Sequence, residues 1–588
     1  MVSGKWMHCA LILTLGVALG CTGTANGTSD NGGVGGGSGS GIGGGSGVGG
    51  GSSVGGGSSA GGSRGGGNGG GGGIDSVTPW VALDAGTLVS PSSTTTVTVT
   101  IPKMARPVSP YIFGVNAGSG TAANKCRAFH DEKLFRFFRL GGNQFSTYNW
   151  KTGVSNGGTD GSCNTNWTAC GMYSASSCAN GAAVENALSY IVRDVPQAVL
   201  MMTVPLAGAI ATGCSGSGTF AQLTNGAPNY TLDTTYQTAF IDAMSVSPDP
   251  QFKWWQLDNE FEGWPSTHGL SKPDYLEVTG KMLSAAKYLK SKTSAGWKVM
   301  GPAAMSYDGI MTGGEDMDPV LNSNAWVEQH GPFSDYFLKR FKEASDTAGV
   351  RLLDAFDFHW YPQASGYPTV SSTTTSPTTA GAAMVLAEPR NLWDPTYNDK
   401  AWDTDALGNK QFIPRLRAAI EANFPGTAIG VTEWNLGYTL NAVGLVAHAD
   451  ALGLFAREGV SYANYWEMAD GDVAVQSAFA LYLSYDGHGA SFGDVYLASS
   501  STDADVAVHP SYDRASGVLK VVLLNRSASA KQVTVGFQSF APLTQADVYT
   551  TAAASPFRPA SVSHATAVTG GVLSVSLPGY SGTMVVAH

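Results

Sequence analysis

Charge is scarce in this chain. Asp, Glu, Lys and Arg make up only 13% of 588 residues, and 33 Lys plus Arg face 44 Asp plus Glu, a net charge of -11. With no long basic run to neutralise a phosphate backbone, nucleic-acid binding is excluded as the main role. Cysteine is scarce as well, seven in all. Cys163, Cys170 and Cys178 have no His nearby, and no HExxH occurs, so a zinc site is not expected. Nor is there the Asp spacing of an EF-hand. The apolar run at 9–20 is too short to cross ~30 Å of hydrocarbon at ~1.5 Å per residue. What the chain does hold in quantity is glycine, 78 residues, and aromatics, 10% of the total with 14 Trp. Low charge with many flat rings suits neutral, flat-faced ligands.

Residues 1–25 read as a secretion signal, with Lys5 ahead of the apolar run. Its end, Ala18-Leu19-Gly20-Cys21, resembles the lipobox of bacterial lipoproteins, with Ala18 where Leu is usual. The expected location is therefore secreted or cell-surface, with a lipid anchor through Cys21; plain cleavage near Ala25 is the alternative. Residues 26–75 read as a flexible linker. From Gly32 to Gly73, 27 residues are Gly and Arg64 is the sole charge, too little apolar surface to offset ordering the backbone. As a coil it would span roughly 35 Å. Apart from the leader and Cys21, the cysteines are Cys126, Cys163, Cys170, Cys178 and Cys214. Two disulfides and a free thiol are expected, the Cys163/Cys170/Cys178 cluster being the first place for one.

From residue 111 short β-branched or aromatic runs alternate with amphipathic stretches, the pattern of a parallel α/β fold. Eight strands are expected, at 111–117, 137–143, 197–205, 253–260, 298–304, 355–361, 428–434 and 462–468. Helices are expected at 183–194, 274–292, 333–347, 413–424 and 442–458; in the second, Ser271 and Asp274 resemble a capping box. Eight strand–helix units suggest a (β/α)8 TIM barrel at 105–475, with an open doubly wound sheet as the alternative. Beyond Met468 short alternating runs at 494–498, 519–524, 532–537, 546–550, 572–577 and 582–587 indicate a β-sandwich at 476–588. The run 94–101, within 76–104, alternates too and should join it, making one sandwich from both chain ends.

A TIM barrel presents its chemistry at the carboxyl ends of its strands. Two carboxylates stand there: Glu260, closing Gln256-Leu257-Asp258-Asn259-Glu260 on strand four, and Glu433, closing Thr432-Glu433-Trp434-Asn435 on strand seven. Facing carboxyls can divide glycosidic cleavage, one protonated to supply a proton and the other ionised to attack. Structural ion pairing is the other reading open to each.

With these residues in view, the segment Arg139-Leu140-Gly141-Gly142-Asn143 through Tyr148-Asn149-Trp150 resembles the Arg-x-Gly-Gly-Asn…Tyr-Asn-Trp segment of glycoside hydrolase family 44. Gly301-Pro302 and Phe358-His359-Trp360-Tyr361-Pro362 are similar too, and the resemblance runs from about residue 110 to the C-terminus. It implies a retaining endo-β-1,4-glucanase or xyloglucanase, with Glu260 as acid/base and Glu433 as nucleophile. Asn259, Arg139, Asn143, His359, Tyr361, Trp434 and Trp466 are the implied binding or orienting residues. Trp150, Trp264 and Trp360, like Trp434, could serve as sugar platforms or core. No catalytic metal is expected and structural calcium is optional; the expected partner is a β-glucan or xyloglucan, and the expected state a monomer. The family commonly has Pro after Asn-Glu, where this chain has Phe261 followed by Glu262, a reserve acid if strand four continues. Insertions at 151–180 and 363–410 would wall the cleft. Alternatives are another retaining β-glycosidase, xylanase or exo-acting, and a non-catalytic carbohydrate-binding surface lipoprotein.

Overall fold

In this computed structural model the described residues are 96–100, 105–116, 134, 136–160, 163–164, 195, 198–214, 220–223, 229–245, 252–292, 296–314, 325–372, 374–466, 468–469, 471–538, 540, 543–551 and 559–588. The expected leader, linker and helix 183–194 lie outside them. So do Cys21 and the side chains of the Cys163/Cys170/Cys178 cluster, while Cys214 is disulfide-bonded.

Eight parallel strands close into a barrel in chain order: Gly114–Asn116, Phe137–Leu140, Val199–Val204, Phe252–Leu257, Lys298–Ala304, Ala355–Trp360, Ala428–Trp434 and Tyr462–Tyr465. Sequential parallel pairing with closure is the (β/α)8 arrangement, so the open-sheet alternative falls. Strand one is shorter than its hydrophobic run, because Pro110–Phe113 forms a 3-10 turn capped by the Ser109 side chain. Helices Tyr275–Ser291, Phe333–Ala348, Phe412–Asn423 and Ala442–Glu458 pack outside, near the expected spans. Ser271 is not the cap of the first. Asp274 is, its carboxylate accepting from the Glu277 amide at 2.7 Å.

The barrel interior is graded. Its amino end is plugged by Phe137, Met201, Trp254, Met300 and Tyr462, with the Phe137 and Trp254 rings 4.7 Å apart. Two residues further along the same strands come Arg139, Thr203 and Gln256, all buried. Period-2 alternation thus stacks a polar layer on an aromatic one.

Strand eight is followed by helix Val473–Leu483, where the helical pattern was expected to have stopped and across the expected boundary at 475. From Ala474 to Leu483 every residue is buried, so the helix is apolar all round and shows no amphipathic period to read.

The sandwich pairs a four-stranded with a seven-stranded sheet. Thr96–Thr100 lies inside the first, parallel to Lys531–Gln538 and antiparallel to Ala498–Ser501, so both chain ends do build it. Arg106–Pro107, expected in the barrel, pairs with Val495–Tyr496 in the larger sheet. Two strands were not anticipated. Val506–Asp513 contains Pro510, which argues against a central strand, yet the neighbouring short strand pairs with Ser511 and Tyr512, and next to it the bond to Pro510 runs from the Leu497 amide to the proline carbonyl at 3.0 Å, which needs no N–H from the proline. Ser561–Ala567 is an exposed, polar edge strand with no apolar alternation.

The larger sheet is buried on both faces. Val521, Leu523 and Val585 face the smaller sheet, while Val522, Leu524 and Met584 join the barrel core. At that junction the buried Asp450 of helix Ala442–Glu458 accepts from His509 Nε2 at 2.9 Å and pairs with Arg526. Despite burial, Arg526 and His509 hold its carboxyl down at about 2. A depressed carboxyl pKa adds stability above the unfolded value of 3.8 that is lost as pH falls through about 2. Asp450→Ala should therefore destabilise the chain by about 2–3 kcal/mol, the scale of hydrogen bonds to a charged group, because Arg526 is 24% exposed and can turn to water. Denaturant unfolding at pH 7 and pH 2 checks this, the gap between wild type and variant narrowing at the lower pH.

Candidate functional site

At the end of strand two the chain turns through Gly141 and Gly142. A Cβ on Gly141 would lie 2.5 Å from the Arg139 guanidinium, and one on Gly142, at φ +90°, would lie 2.6 Å from the Trp466 ring. The paired glycines thus leave room for Arg139 to fold back across the barrel and for Trp466 to lie over the turn. Arg139 is fully buried. Its Nε donates to Gln256 Oε1 at 2.7 Å, and its Nη1 to Asn116 Oδ1 and Glu433 Oε1 at 2.8 Å each. Nη2 donates to Asn259 Oδ1.

Strand four does not continue through Glu260. It ends at Leu257, and Asp258 and Glu260 adopt left-handed backbone at φ +63° and +39°. Such conformations cost free energy and persist where neighbours over-determine them. Here Asp258 accepts from Ser146 Oγ, the Leu206 amide, its neighbour's amide and Trp264 Nε1, and the Glu260 amide donates to Ala303 O at 3.0 Å. The held turn points Glu260 across the barrel mouth.

On the opposite wall, the register between strands six and seven shifts at Phe358/His359, which brings His359 beside Glu433. Bulges of this kind re-aim side chains at barrel rims. Tyr361 Oη donates to Glu433 Oε2 at 2.9 Å. His359 Nδ1 lies 2.7 Å from Glu260 Oε1 and 3.5 Å from Glu433 Oε2. The three reactive atoms, one from each of Glu260, His359 and Glu433, lie within 4.8 Å of one another.

Burial pushes Glu260 up to about 7, against the pull of Arg139 and a hydrogen bond from Asn143. Burial also raises Glu433, opposed by His359 and by Arg139, which both attracts its charge and donates to it. The His359 imidazole is driven down to about 3 by burial, so it is neutral. Tyr361 is raised well above its ordinary value by burial and by both carboxylates, and stays a donor. One carboxyl thus holds a proton near neutrality while the other is met by a guanidinium and a phenol. Their spacing is near the ~5–5.5 Å of double-displacement sites and well short of the ~6.5–9.5 Å that admits a water between them.

Among the described residues these three are the one His/Cys/Asp/Glu group with ligand-like spacing, but a cation there would sit beside Arg139. A calcium finds no fit at the buried Glu388, Asp399 and Asp403 either. Lys410 Nζ fills that group, 2.9 Å from Asp399 and 3.0 Å from Asp403.

The structure brings Asn259, Arg139, Asn143, His359 and Tyr361 to the carboxylates. Asn259 Nδ2 donates to Asn143 Oδ1 at 3.0 Å, and Trp466, partly exposed, stands over Gly142. Trp434 is not at the site. It is fully buried on the outer face of the barrel, stacked on Trp360 and Phe479. Trp360, Trp264 and Trp150 are core residues too, Trp264 bracing Asp258 as above. Glu262 is no reserve acid. Past the left-handed turn it enters the 3-10 segment Phe261–Gly263, and its Oε1 accepts from the Met305 amide at 3.1 Å, against Gly309.

Sequence reasoning missed Asn116, Gln256, Asp357 and His268. Gln256 Nε2 donates to Asp357 Oδ2 at 2.7 Å, and His268 Nε2 lies 3.0 Å from Asn143 O. For Gln256 and Asp357 the signal was a polar residue at an inward position inside an apolar strand.

Of the expected walls, residues 363–410 are described except 373. Tyr367 Oη donates to Leu436 O at 2.9 Å, and Asn441 Nδ2 donates to Thr374 O at 2.9 Å, so the insertion is tied to the loop after strand seven.

Residues 212–364 match the family model described as Glycoside hydrolase family 44. The chain is 28% identical over 494 residues to Beta-mannanase/endoglucanase A of Caldicellulosiruptor saccharolyticus, covering 75% of this chain and 35% of that protein. It is 30% identical over 298 residues to Endoglucanase A of Paenibacillus lautus, covering 48% and 41%. The chain therefore spans well under half the length of these curated relatives. A Paenibacillus polymyxa xyloglucanase of glycoside hydrolase family 44 superposes with a TM-score of 0.71 at 25% identity, covering 84% of this chain and 100% of that one; it has also been solved with xyloglucan.

The two tryptophans near strands seven and eight should separate by stability. Trp434→Ala opens a cavity in a stacked core and should cost about 3–5 kcal/mol; Trp466→Ala, half outside the core, should cost clearly less. Denaturant midpoints of the two variants check the assignment.

Proposed function

With glycoside hydrolase family 44 as the family this chain resembles in sequence and in fold, we propose that it is a retaining endo-β-1,4-glycanase acting on cellulose-like β-glucans or xyloglucan. The observation that carries this reading is the Glu260–Glu433 pair, facing across the barrel mouth with carboxylate oxygens within 4.8 Å and with different partners. Glu260, held near 7, supplies a proton to the glycosidic oxygen as Glu433 attacks the anomeric carbon. The bond to the leaving sugar breaks and an ester to Glu433 forms. Water then attacks the same carbon, gives its proton to Glu260, and the ester bond breaks, restoring both groups with configuration retained. No cofactor enters either step.

Arg139 and Tyr361 hold Glu433 ionised and aimed. Asn259, fixed between Arg139 and Asn143, can bond a sugar hydroxyl beside the reacting carbon, and the Trp466 face offers a surface for a pyranose ring. A binding-only lectin would have no use for a nucleophile so aimed beside a carboxyl that keeps its proton near neutrality. Endo-cleavage belongs to this reading because both curated relatives are named endoglucanases. Export, with Cys21 as a lipid anchor and the glycine-rich stretch as tether, fits a polymer substrate that cannot enter a cell, and a single chain carries the whole site. Palmitate labelling with and without Cys21→Ala tests the anchor.

Glu433→Gln and Glu260→Gln should each lower hydrolysis of soluble xyloglucan or carboxymethyl cellulose by at least ~10³-fold with folding unchanged, as loss of a covalent nucleophile or a general acid demands. Full activity in either variant would end the assignment. The acid must be protonated, so kcat/KM should fall as pH rises through about 7, where Glu260 loses its proton. It should fall again on the acidic side as Glu433 gains one. A pH–rate profile with one polymer substrate reads both limbs.

A further inference from the structure

The His359 ring is fully buried, with Nδ1 facing both carboxylates, 2.7 Å from Glu260 and 3.5 Å from Glu433, while Nε2 has no partner. A neutral imidazole has one N–H to place. Put on Nε2, the proton would be a buried donor without an acceptor, and Nδ1 could only accept from the Glu260 acid, offering nothing to the Glu433 anion or to Glu260 once its proton is spent. Put on Nδ1, it forms a charge-assisted bond with whichever carboxylate is ionised. We propose that His359 is a positioning residue that keeps its proton on Nδ1 throughout turnover: 2.7 Å from Glu260 and 3.5 Å from Glu433, the N–H already stands on the carboxyl that becomes the anion when the ester forms, and its bond there tightens as the negative charge passes from Glu433 to Glu260.

This rests on the double-displacement reading above. Before attack Glu433 is the anion and Glu260 the acid; once the ester forms, Glu433 is neutral and Glu260, its proton spent on the leaving oxygen, is the anion. Hydrolysis of the ester reverses both. The imidazole neither gains nor loses a proton in either step. The distances place both acceptors within a small ring movement of one donor, a service Arg139 does not give, since its Nη1 contacts Glu433 and its Nη2 contacts Asn259 rather than Glu260. The groups facing this centre are Arg139 from strand two, Asn143 beyond it, Asn259 and Glu260 from the end of strand four, Tyr361 and Asp357 from strand six, and Glu433 from strand seven. Glu262, just beyond the turn, is itself raised by burial and by the like charge of Glu260. Burial keeps the ring uncharged, its value near 3.

The test compares His359→Phe, which fills the space without a donor, with His359→Asn, whose Nδ2 can stand near the position of Nδ1. The pH profile of kcat/KM is taken on xyloglucan and on an aryl β-cellobioside. Losing the donor raises both carboxyl pKa values, so in the Phe variant both limbs should move up by about one pH unit, the size of one charge-assisted bond. In the Asn variant they should stay near the wild-type positions, whatever the rate. Unmoved limbs in Phe, or an Asn variant that behaves like Phe, would overturn the proposal. Should Phe fail to fold, ¹⁵N-histidine spectra of the wild type decide. A neutral Nδ1–H signal for His359, unchanged from pH 5 to 9, supports it, and an Nε2–H or imidazolium signal overturns it. A wild type that cleaves neither substrate would bring down the double-displacement reading, and this proposal with it; active wild type with unmoved limbs brings down this proposal alone.

Discussion

A guanidinium sealed from water has to find all its partners inside the protein, and Arg139 is the constraint around which the barrel mouth is arranged. Its donors reach strand one through Asn116, strand four through Gln256, the turn after it through Asn259, and strand seven through Glu433. A buried charge left short of partners costs several kcal/mol, so a strand out of place by one residue would lose bonds at several points together. That makes the site and the closure of the barrel one problem. The polar layer behind Arg139 extends it, because Gln256 passes the connection to Asp357, and Asp357 in turn accepts from the Ala303 amide at 2.7 Å.

The grading along the barrel axis follows from the same economy. Buried aromatic and sulfur-containing side chains fill the amino end, and the buried polar residues above them satisfy one another. Strand period then decides which residue types can appear: Trp254 and Gln256 share a face, as do Phe137 and Arg139. At the carboxyl end, by contrast, the strands yield to turns held by side-chain bonds, as Asp258 holds the turn that aims Glu260.

Much of this was legible in the sequence, for reasons that can be named. The eight barrel strands are apolar runs between polar loops, and each was found because burial on both faces leaves a continuous hydrophobic stretch. Glu260 and Glu433 were legible as polar residues closing such runs, and Arg139 and His359 through the segments that resemble glycoside hydrolase family 44. What escaped reading had weak local signals. Helix Val473–Leu483 is buried all round and lacks periodicity, Ser561–Ala567 is exposed and polar, and Val506–Asp513 carries a proline whose harmlessness depends on a neighbouring chain that bonds its carbonyl. Trp434 was misplaced for a different reason. Glu433 and Trp434 are adjacent at a bulge, and one residue of register sends one side chain into the mouth and the next into the helices outside, a distinction that spacing alone does not contain.

Burial acts on Glu260 and Glu433 alike, both nearly excluded from water at 4% and 5% exposure, so desolvation alone would leave two similar acids with no division of labour. The asymmetry comes from donors. Glu433 has a guanidinium on one oxygen and a phenol on the other, each of which favours its charged form. Glu260 has the neutral His359 imidazole and the Asn143 amide as partners and feels only at a distance the guanidinium, whose remaining arm is taken by Asn259. The different surroundings of the two carboxyls are therefore set by which neighbour strand two and strand six deliver to each, and Gly141 and Gly142 matter to that difference because they let Arg139 reach across to one carboxylate and not the other.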